Sequence, residues 1–354
     1  MRSITISSNE AGQRLDKMLG KYLNLAGKSF IYKMMRKKNI TLNGKKCDGS
    51  EKLNVGDEVK LFLADETIEK FSEVKVQKVQ KKKLDVIYED DNVILINKPS
   101  GMLSQKAKES DESLVEYLID YLLDNGALTK EELRSFRPSV CNRLDRNTSG
   151  LVAAGKTLAG LQILSELFKD RTLHKYYLCV VKGEVKEAQH IDGYLVKDQR
   201  TNQVKIFRNL KEWKLSRKSV KNSSGEKRTA GKSISGKEPM EEEKPAPIQT
   251  EYQPLSCKNG FTLLRVTLIT GRTHQIRAHL ASIGHPIVGD YKYGNPATNE
   301  AAKKQYKITS QMLHSYETVF PKEMKAPLEN LSGKSFRAEP PKEFIRVFPE
   351  IAQR

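Results

Sequence analysis

The chain has 354 residues, with 62 Lys and Arg against 44 Asp and Glu, for a formal net charge of +18. That length admits two domains and a sizeable core, and so large a positive excess favours a polyanionic partner, most simply a nucleic acid. No apolar run approaches the length of a spanning helix, no basic amphipathic segment is flanked like a membrane anchor, and four scattered cysteines without a CxxC pair argue against a zinc site or a disulfide framework.

The first residues, Met1-Arg2-Ser3-Ile4-Thr5-Ile6, lack the apolar core of a signal peptide, so the expected place is the cytoplasm, with reduced thiols. Leu15, Met18, Leu19, Tyr22 and Leu23 recur on one face of a helix. After Gly27, Ser29 is expected to cap a second helix, with Ile31, Met34 and Met35 inward and Lys33, Arg36, Lys37 and Lys38 outward. Ile40-Thr41-Leu42 reads as a strand running into an Asn43-Gly44 turn, and Val55-Gly56-Asp57 turns the chain into a strand over Val59 to Leu63. The charge run alone fits a solvated helix face equally well.

In order and spacing, Arg14-Leu15-Asp16-Lys17, the Ser29 helix, Asn43-Gly44 and Val55-Gly56-Asp57 resemble the small RNA-binding domain first named from ribosomal protein S-four. The resemblance implies an α/β-hairpin domain over residues 12–64. There Arg14, Lys33, Arg36 and Lys37 would grip structured RNA through its backbone and shape, because the deep major groove of such RNA cannot be read by side chains.

Residues 65–83, rich in Lys and Glu, read as a linker. A hairpin follows: Leu84 to Asp90, a turn at Asp91-Asn92, and Val93 to Asn97 leading into Lys98-Pro99-Ser100-Gly101. The run Asn142-Arg143-Leu144-Asp145-Arg146-Asn147-Thr148-Ser149-Gly150 places one carboxylate between two arginines in a polar loop, ahead of a buried strand at Leu151-Val152-Ala153-Ala154. A carboxylate held ionised by guanidiniums, beside groups that bind phosphate, suits a nucleophile or base acting on nucleic acid; a surface Arg–Asp pair has the same pattern. Cys141 has no base beside it and reads as packing.

Thr157 is expected to cap a helix with Leu161, Leu164 and Phe168 inward, and His174 to Val181 to form a strand. Residues 215–247 read as a flexible insertion. After the strand Leu263 to Leu268, Thr270-Gly271-Arg272-Thr273 could offer donors to a phosphate, with Ile276 and Leu280 facing the core if a helix starts there. Arg277 then is either a surface residue or a polar partner for something buried, most usefully an Asp held through a bidentate pair. His274 and His279 are five apart, with no carboxylate at a metal-ligand spacing, which favours structural or RNA-contacting roles.

Together, Asn97 to Gly101, Arg143 to Gly150, Lys175-Tyr176-Tyr177, Thr270 to Gly289 and Leu313-His314 resemble the pseudouridine synthases of the RluA type, over a catalytic domain at residues 84–330 with a tail at 331–354. The resemblance implies an α+β chain, in which a large mixed and mainly antiparallel sheet flanked by helices follows the S-four-like domain. It implies isomerisation of uridine in RNA after the base is extruded. Asp145 would be the catalytic carboxylate, attacking the anomeric carbon or removing a ribose proton. Arg277 would pair with it, Tyr177 would pack on the uracil, Arg143 would hold the duplex open, and Arg272 and Thr273 would contact RNA. No cofactor and no metal are expected, and the chain is expected to be a monomer. The expected substrate is large-subunit ribosomal RNA; transfer RNA, or a non-catalytic RNA-binding or ribosome-assembly role, are the alternatives. The family usually has His where this chain has Asn142, a position expected to tune the loop.

Overall fold

The computed structural model describes residues 1–80, 83–223 and 244–353. The chain divides into two compact units, and both take in non-contiguous stretches: residues 1–146, 151–173 and 320–338 form the first, and residues 147–150, 174–319 and 339–354 the second.

The first unit opens with β1 (Arg2–Thr5), α1 (Leu15–Tyr22), α2 (Lys28–Arg36), β2 (Ile40–Leu42), β3 (Lys45–Lys46) and β4 (Glu58–Leu61), the four strands forming an antiparallel sheet in the order β1-β4-β2-β3. All the residues expected on the inner faces of the two helices are buried together with Ile40, Val59 and Leu61. Asn43 and Gly44, both with positive φ (51° and 73°), make the two-residue turn between β2 and β3 whose twist matches the flanking strands. The α2 cap differs from expectation. Gly27, not Ser29, is the boundary residue, and its carbonyl accepts the first helical amides, from Phe30 and Ile31. Ser29 therefore lies inside the first turn, where its hydroxyl cannot cap.

The segment expected to be a linker begins with α3 (Asp65–Phe71), whose Ile68 is buried in the N-terminal core with Phe71 packed beside it. Two apolar residues among charged ones are too sparse to register as a period, yet enough to dock about two turns of helix. The same N-terminal segment is tied to residues 131–135 by hydrogen bonds from Tyr22 to Glu131, Arg134 to Ser72, and Ser135 to Glu10.

The remainder of this unit holds β5 (Val86–Glu89), β6 (Val93–Lys98), α4 (Leu114–Asp124), β7 (Ser139–Val140), α5 (Leu158–Asp170) and all of β8 (Ser149–Gly155) except its first two residues, which belong to the second unit. β5 and β6 are the expected hairpin, its turn fixed by Asp90 Oδ1 accepting from the amides of Asn92 and Val93. β8 lies next to β6, pairs with β7, and is buried along its whole length. Thr157 caps α5, accepting from the Gly160 amide at 3.1 Å.

The second unit contains β9 (His174–Lys182), β10 (Gln189–Asp198), β11 (Gln203–Phe207), α6 (Leu210–Ser223), β12 (Ala246–Lys258), β13 (Phe261–Leu268), α7 (Gln275–Ser282), α8 (Pro296–Tyr306), β14 (Leu313–Val319) and α9 (Lys342–Val347). Its strands run antiparallel in the order β11-β10-β12-β13-β9-β14, and β14 then pairs in parallel with Ser149 and Gly150 at the start of β8. Ala278 of α7 packs with Leu195, Val204 and Ile248, which holds that helix to the sheet.

The insertion expected from residue 215 is ordered at both borders, since α6 continues to Ser223 and β12 starts at Ala246; residues 224–243 lie outside the described ones. The segment taken as a C-terminal tail is folded, with Phe344, Val347 and Phe348 buried.

Candidate active site

Residues 142–146 form an irregular loop between β7 and β8. Every second residue of it is fastened. The Asn142 amide donates to the Leu151 carbonyl at 3.2 Å and accepts from the Ala153 amide at 2.8 Å, so a side chain supplies what a neighbouring strand would otherwise provide. The Ser104 hydroxyl accepts from the Leu144 amide (3.0 Å) and donates to the Leu144 carbonyl (2.9 Å). The Arg146 carbonyl accepts from the Gly101 amide at 2.9 Å and from Lys98 Nζ at 3.2 Å. Between these fixed points Asp145 is half-buried, while Arg143 and Arg146 are exposed. Cys141 is inert, its thiol pushed up to about 12 by burial.

Lys98 had no role assigned from sequence. It is fully buried at the end of β6, and its three N–H donors go to the carbonyls of Pro99 (3.0 Å), Met102 (2.8 Å) and Arg146. Burial pushes the ammonium down to about 7, and the charge of Asp145 opposes that fall. Stability therefore depends on pH in a definite direction. Below about 7 the lysine is charged in the folded and unfolded chain alike, and the folded state carries the full cost of a buried charge. Between about 7 and the ordinary lysine value near 10.4, the unfolded chain holds a proton that the folded chain has released. Over that window, wild-type stability is expected to rise relative to Lys98→Met by up to about 1.4 kcal/mol per pH unit. Denaturant titrations at pH 6, 8 and 9.5 check this; a difference independent of pH would contradict it.

Tyr177 and Arg277 fall in the second unit. Tyr177 is a buried residue of β9, opposite Val266 of β13 and Ser315 of β14. Arg277, on α7, is buried and pairs bidentately with Asp290, Nε to Oδ2 at 2.7 Å and Nη2 to Oδ1 at 2.9 Å, with the Tyr293 ring 5.2 Å from the guanidinium. Burial alone would raise the Asp290 carboxyl. The hydrogen bonds and charge of Arg277, with the amides of Lys292 and Tyr293, outweigh it and hold the group below the usual carboxylate range.

The polar partners of Arg277 thus include Asp290, thirteen residues on and just past the end of the Thr270–Gly289 run. Arg272 and Thr273 are exposed. The turn carrying them is built by Gln275, whose Oε1 accepts from Arg272 N and Thr270 Oγ1 and whose Nε2 donates to Gln249 O and Thr250 Oγ1. Ile276 and Leu280 face inward as expected. His274 hydrogen-bonds the Tyr293 hydroxyl and His279 the Thr250 hydroxyl, both structural arrangements. Among the described residues no group of three or more His, Cys, Asp or Glu could hold a metal ion.

In the N-terminal segment, Lys33 and Arg36 are exposed on the outer face of α2, and Lys37 is exposed at its C-terminal cap. Arg14 is also exposed, but both its Nε and Nη2 lie 3.1 Å from the Asp16 carboxylate, which also accepts from Tyr32 at 2.8 Å. A phosphate would have to compete with Asp16 for that guanidinium, which makes Arg14 the weakest of the four as a backbone contact.

Residues 92–282 match the RNA pseudouridylate synthase family and residues 13–59 match the S4 domain. The chain is 30% identical over 302 residues to ribosomal large subunit pseudouridine synthase C of Escherichia coli (strain K12), covering 83% of this chain and 80% of that protein. It is 28% identical over 341 residues to the protein of the same name from Vibrio vulnificus (strain CMCP6), covering 92% of each. The solved structure of human RNA pseudouridylate synthase domain containing 4 superposes with a TM-score of 0.52 at 19% identity, over 75% of this chain and 92% of that one, a likeness of fold.

Proposed function

The chain belongs to the RNA pseudouridylate synthase family, joined to an S4 domain, and we propose that this RNA pseudouridine synthase acts on uridines of large-subunit ribosomal RNA with Asp145 as the reacting carboxylate. The substrate rests on one observation: the relatives named for the large ribosomal subunit align over most of the chain, as does the Vibrio vulnificus protein over 92% of each. In the reaction the bond from uracil N1 to the ribose anomeric carbon breaks, the base turns, and its C5 bonds to the same carbon. The C5 proton is then lost and N1 gains one, so nothing is added or removed overall.

A base inside a helix has to leave the stack before its glycosidic bond can be reached. Asp145 then either attacks the anomeric carbon or removes a ribose proton. What supports it in this role is a loop fixed on both sides of a half-buried carboxylate, the condition for a group that must meet its target in one orientation. Tyr177 is proposed as the platform under the extruded uracil, Arg277 as a charge partner of the catalytic carboxylate, and Arg143 as a holder of the opened duplex. Arg272, Thr273 and the basic face of α2 are proposed to contact the RNA backbone.

A comparative map of pseudouridines in ribosomal and transfer RNA, from cells with and without the protein, tests the substrate. Loss of sites in large-subunit ribosomal RNA is expected. Loss confined to transfer RNA would replace the substrate, and no lost site anywhere would favour a non-catalytic assembly role. Among the described residues no helix is long and apolar enough to cross a membrane, and the cytoplasm, where ribosomal RNA would be met, is part of the same proposal.

A further inference from the structure

We propose that Ser104 is a positioning residue for the isomerisation, setting the orientation of Asp145 through the peptide that precedes it; the inference rests on Asp145 being the reacting carboxylate. Ser104 is buried, and so is Leu144, so the two backbone groups of Leu144 have little water to fall back on. One hydroxyl meets both of them, accepting from the amide and donating to the carbonyl. That carbonyl belongs to the peptide bond whose nitrogen is Asp145's own. Its plane decides the direction in which the Asp145 side chain leaves the backbone. On the far side of Asp145, Gly101 and Lys98 hold the Arg146 carbonyl.

Ser104 is itself anchored. The preceding residue, Leu103, accepts from the Leu114 amide at 2.8 Å, at the start of α4, whose N-terminus is closed by the Ser113–Glu116 capping box. A rigid helix start thus fixes a serine, the serine fixes a peptide, and the peptide fixes the carboxylate. A hydroxyl is required for the double bond: alanine can make neither half, and a thiol makes both only weakly.

The test uses full-length protein and large-subunit ribosomal RNA from cells lacking it, with single-turnover rates and RNA affinity measured well below the melting temperature of each variant. Ser104→Ala and Ser104→Cys are expected to slow pseudouridine formation by about thirtyfold or more, since small misplacements of a reacting group cost that much. RNA affinity is expected to stay within about threefold, and Ser104→Thr, which restores the hydroxyl, to recover most of the rate.

The cysteine variant carries the test if the alanine variant does not fold. Rates within about threefold of wild type for the alanine and cysteine variants, with Asp145→Asn inactive, would overturn the proposal while leaving Asp145 in place. So would a rate loss matched by lost RNA affinity, or failure of both variants to fold, which would make Ser104 a packing residue. A normal rate in Asp145→Asn would instead remove the reading on which the proposal stands.

Discussion

Asp145→Asn is expected to lower the rate of pseudouridine formation by more than about a thousandfold while leaving RNA affinity within a few-fold of wild type. The side chains are nearly isosteric, but an amide neither ionises nor attacks a carbon, so either route open to Asp145 is lost. The loop itself should survive the change. Its fastenings run through the backbone of Leu144 and Arg146 and through the side chain of Asn142, and none of these uses the carboxylate. Binding should survive as well, because phosphate contacts dominate RNA affinity and an anionic carboxylate is unsuited to making one.

One further readout separates loss of chemistry from loss of structure. The charge of Asp145 opposes the fall of the Lys98 ammonium, so in the asparagine variant Lys98 should release its proton below the value of about 7 that it has in the wild type. A variant that is inactive, binds normally and shows this shift in its pH–stability curve has lost a charge and nothing else. Wild-type rates would end the assignment of Asp145, and a parallel loss of affinity would turn it into a binding residue.

What could be read in the sequence was local. The buried faces of α1 and α2, the Asn43-Gly44 turn, the hairpin of β5 and β6 and the Thr157 cap each follow from a periodicity or a short motif contained within one element. The misplaced features depend on groups that side-chain patterns do not display. Lys98 is caged by backbone carbonyls, acceptors every residue carries, so nothing in Asn97-Lys98-Pro99 distinguishes it from a surface lysine. Asn142 replaces a strand's backbone with its own amide, which gives physical content to the expectation that it tunes the loop. Ser104 is one serine in a stretch with no period. Arg277 was visible as a candidate for a carboxylate partner, but its pairing with Asp290 joins α7 to the turn after it and becomes legible only once that turn is folded. The helix α3 failed for the opposite reason, its composition being that of a solvated linker while only Ile68 and Phe71 tie it to the core.

Gly150→Ala is expected to destabilise the chain by about 3 kcal/mol or more, far beyond an ordinary surface glycine. Gly150 ends the motif that carries Asp145, and it pairs in parallel with Ser315 of β14. Its φ of +109° is one that side chains rarely adopt. An added Cβ would also lie 2.2 Å from the Ser315 carbonyl oxygen and 2.6 Å from its amide nitrogen, backbone atoms that cannot turn aside. The neighbouring bonds, Ser149 Oγ to His314 Nδ1 at 2.9 Å and Gln311 Nε2 to Thr148 Oγ1 at 2.7 Å, depend on the same close approach. Gly56→Ala supplies the control, since Gly56 has a similar φ of +88° but nothing within 4 Å of an added Cβ, so only backbone strain of about 1 kcal/mol is expected there. Equal melting-temperature losses in the two variants would show that β8 and β14 can part without cost. A much larger loss at Gly150, with activity falling alongside it, is the expected result, because a shift at this glycine passes back along five residues of chain to the carboxylate.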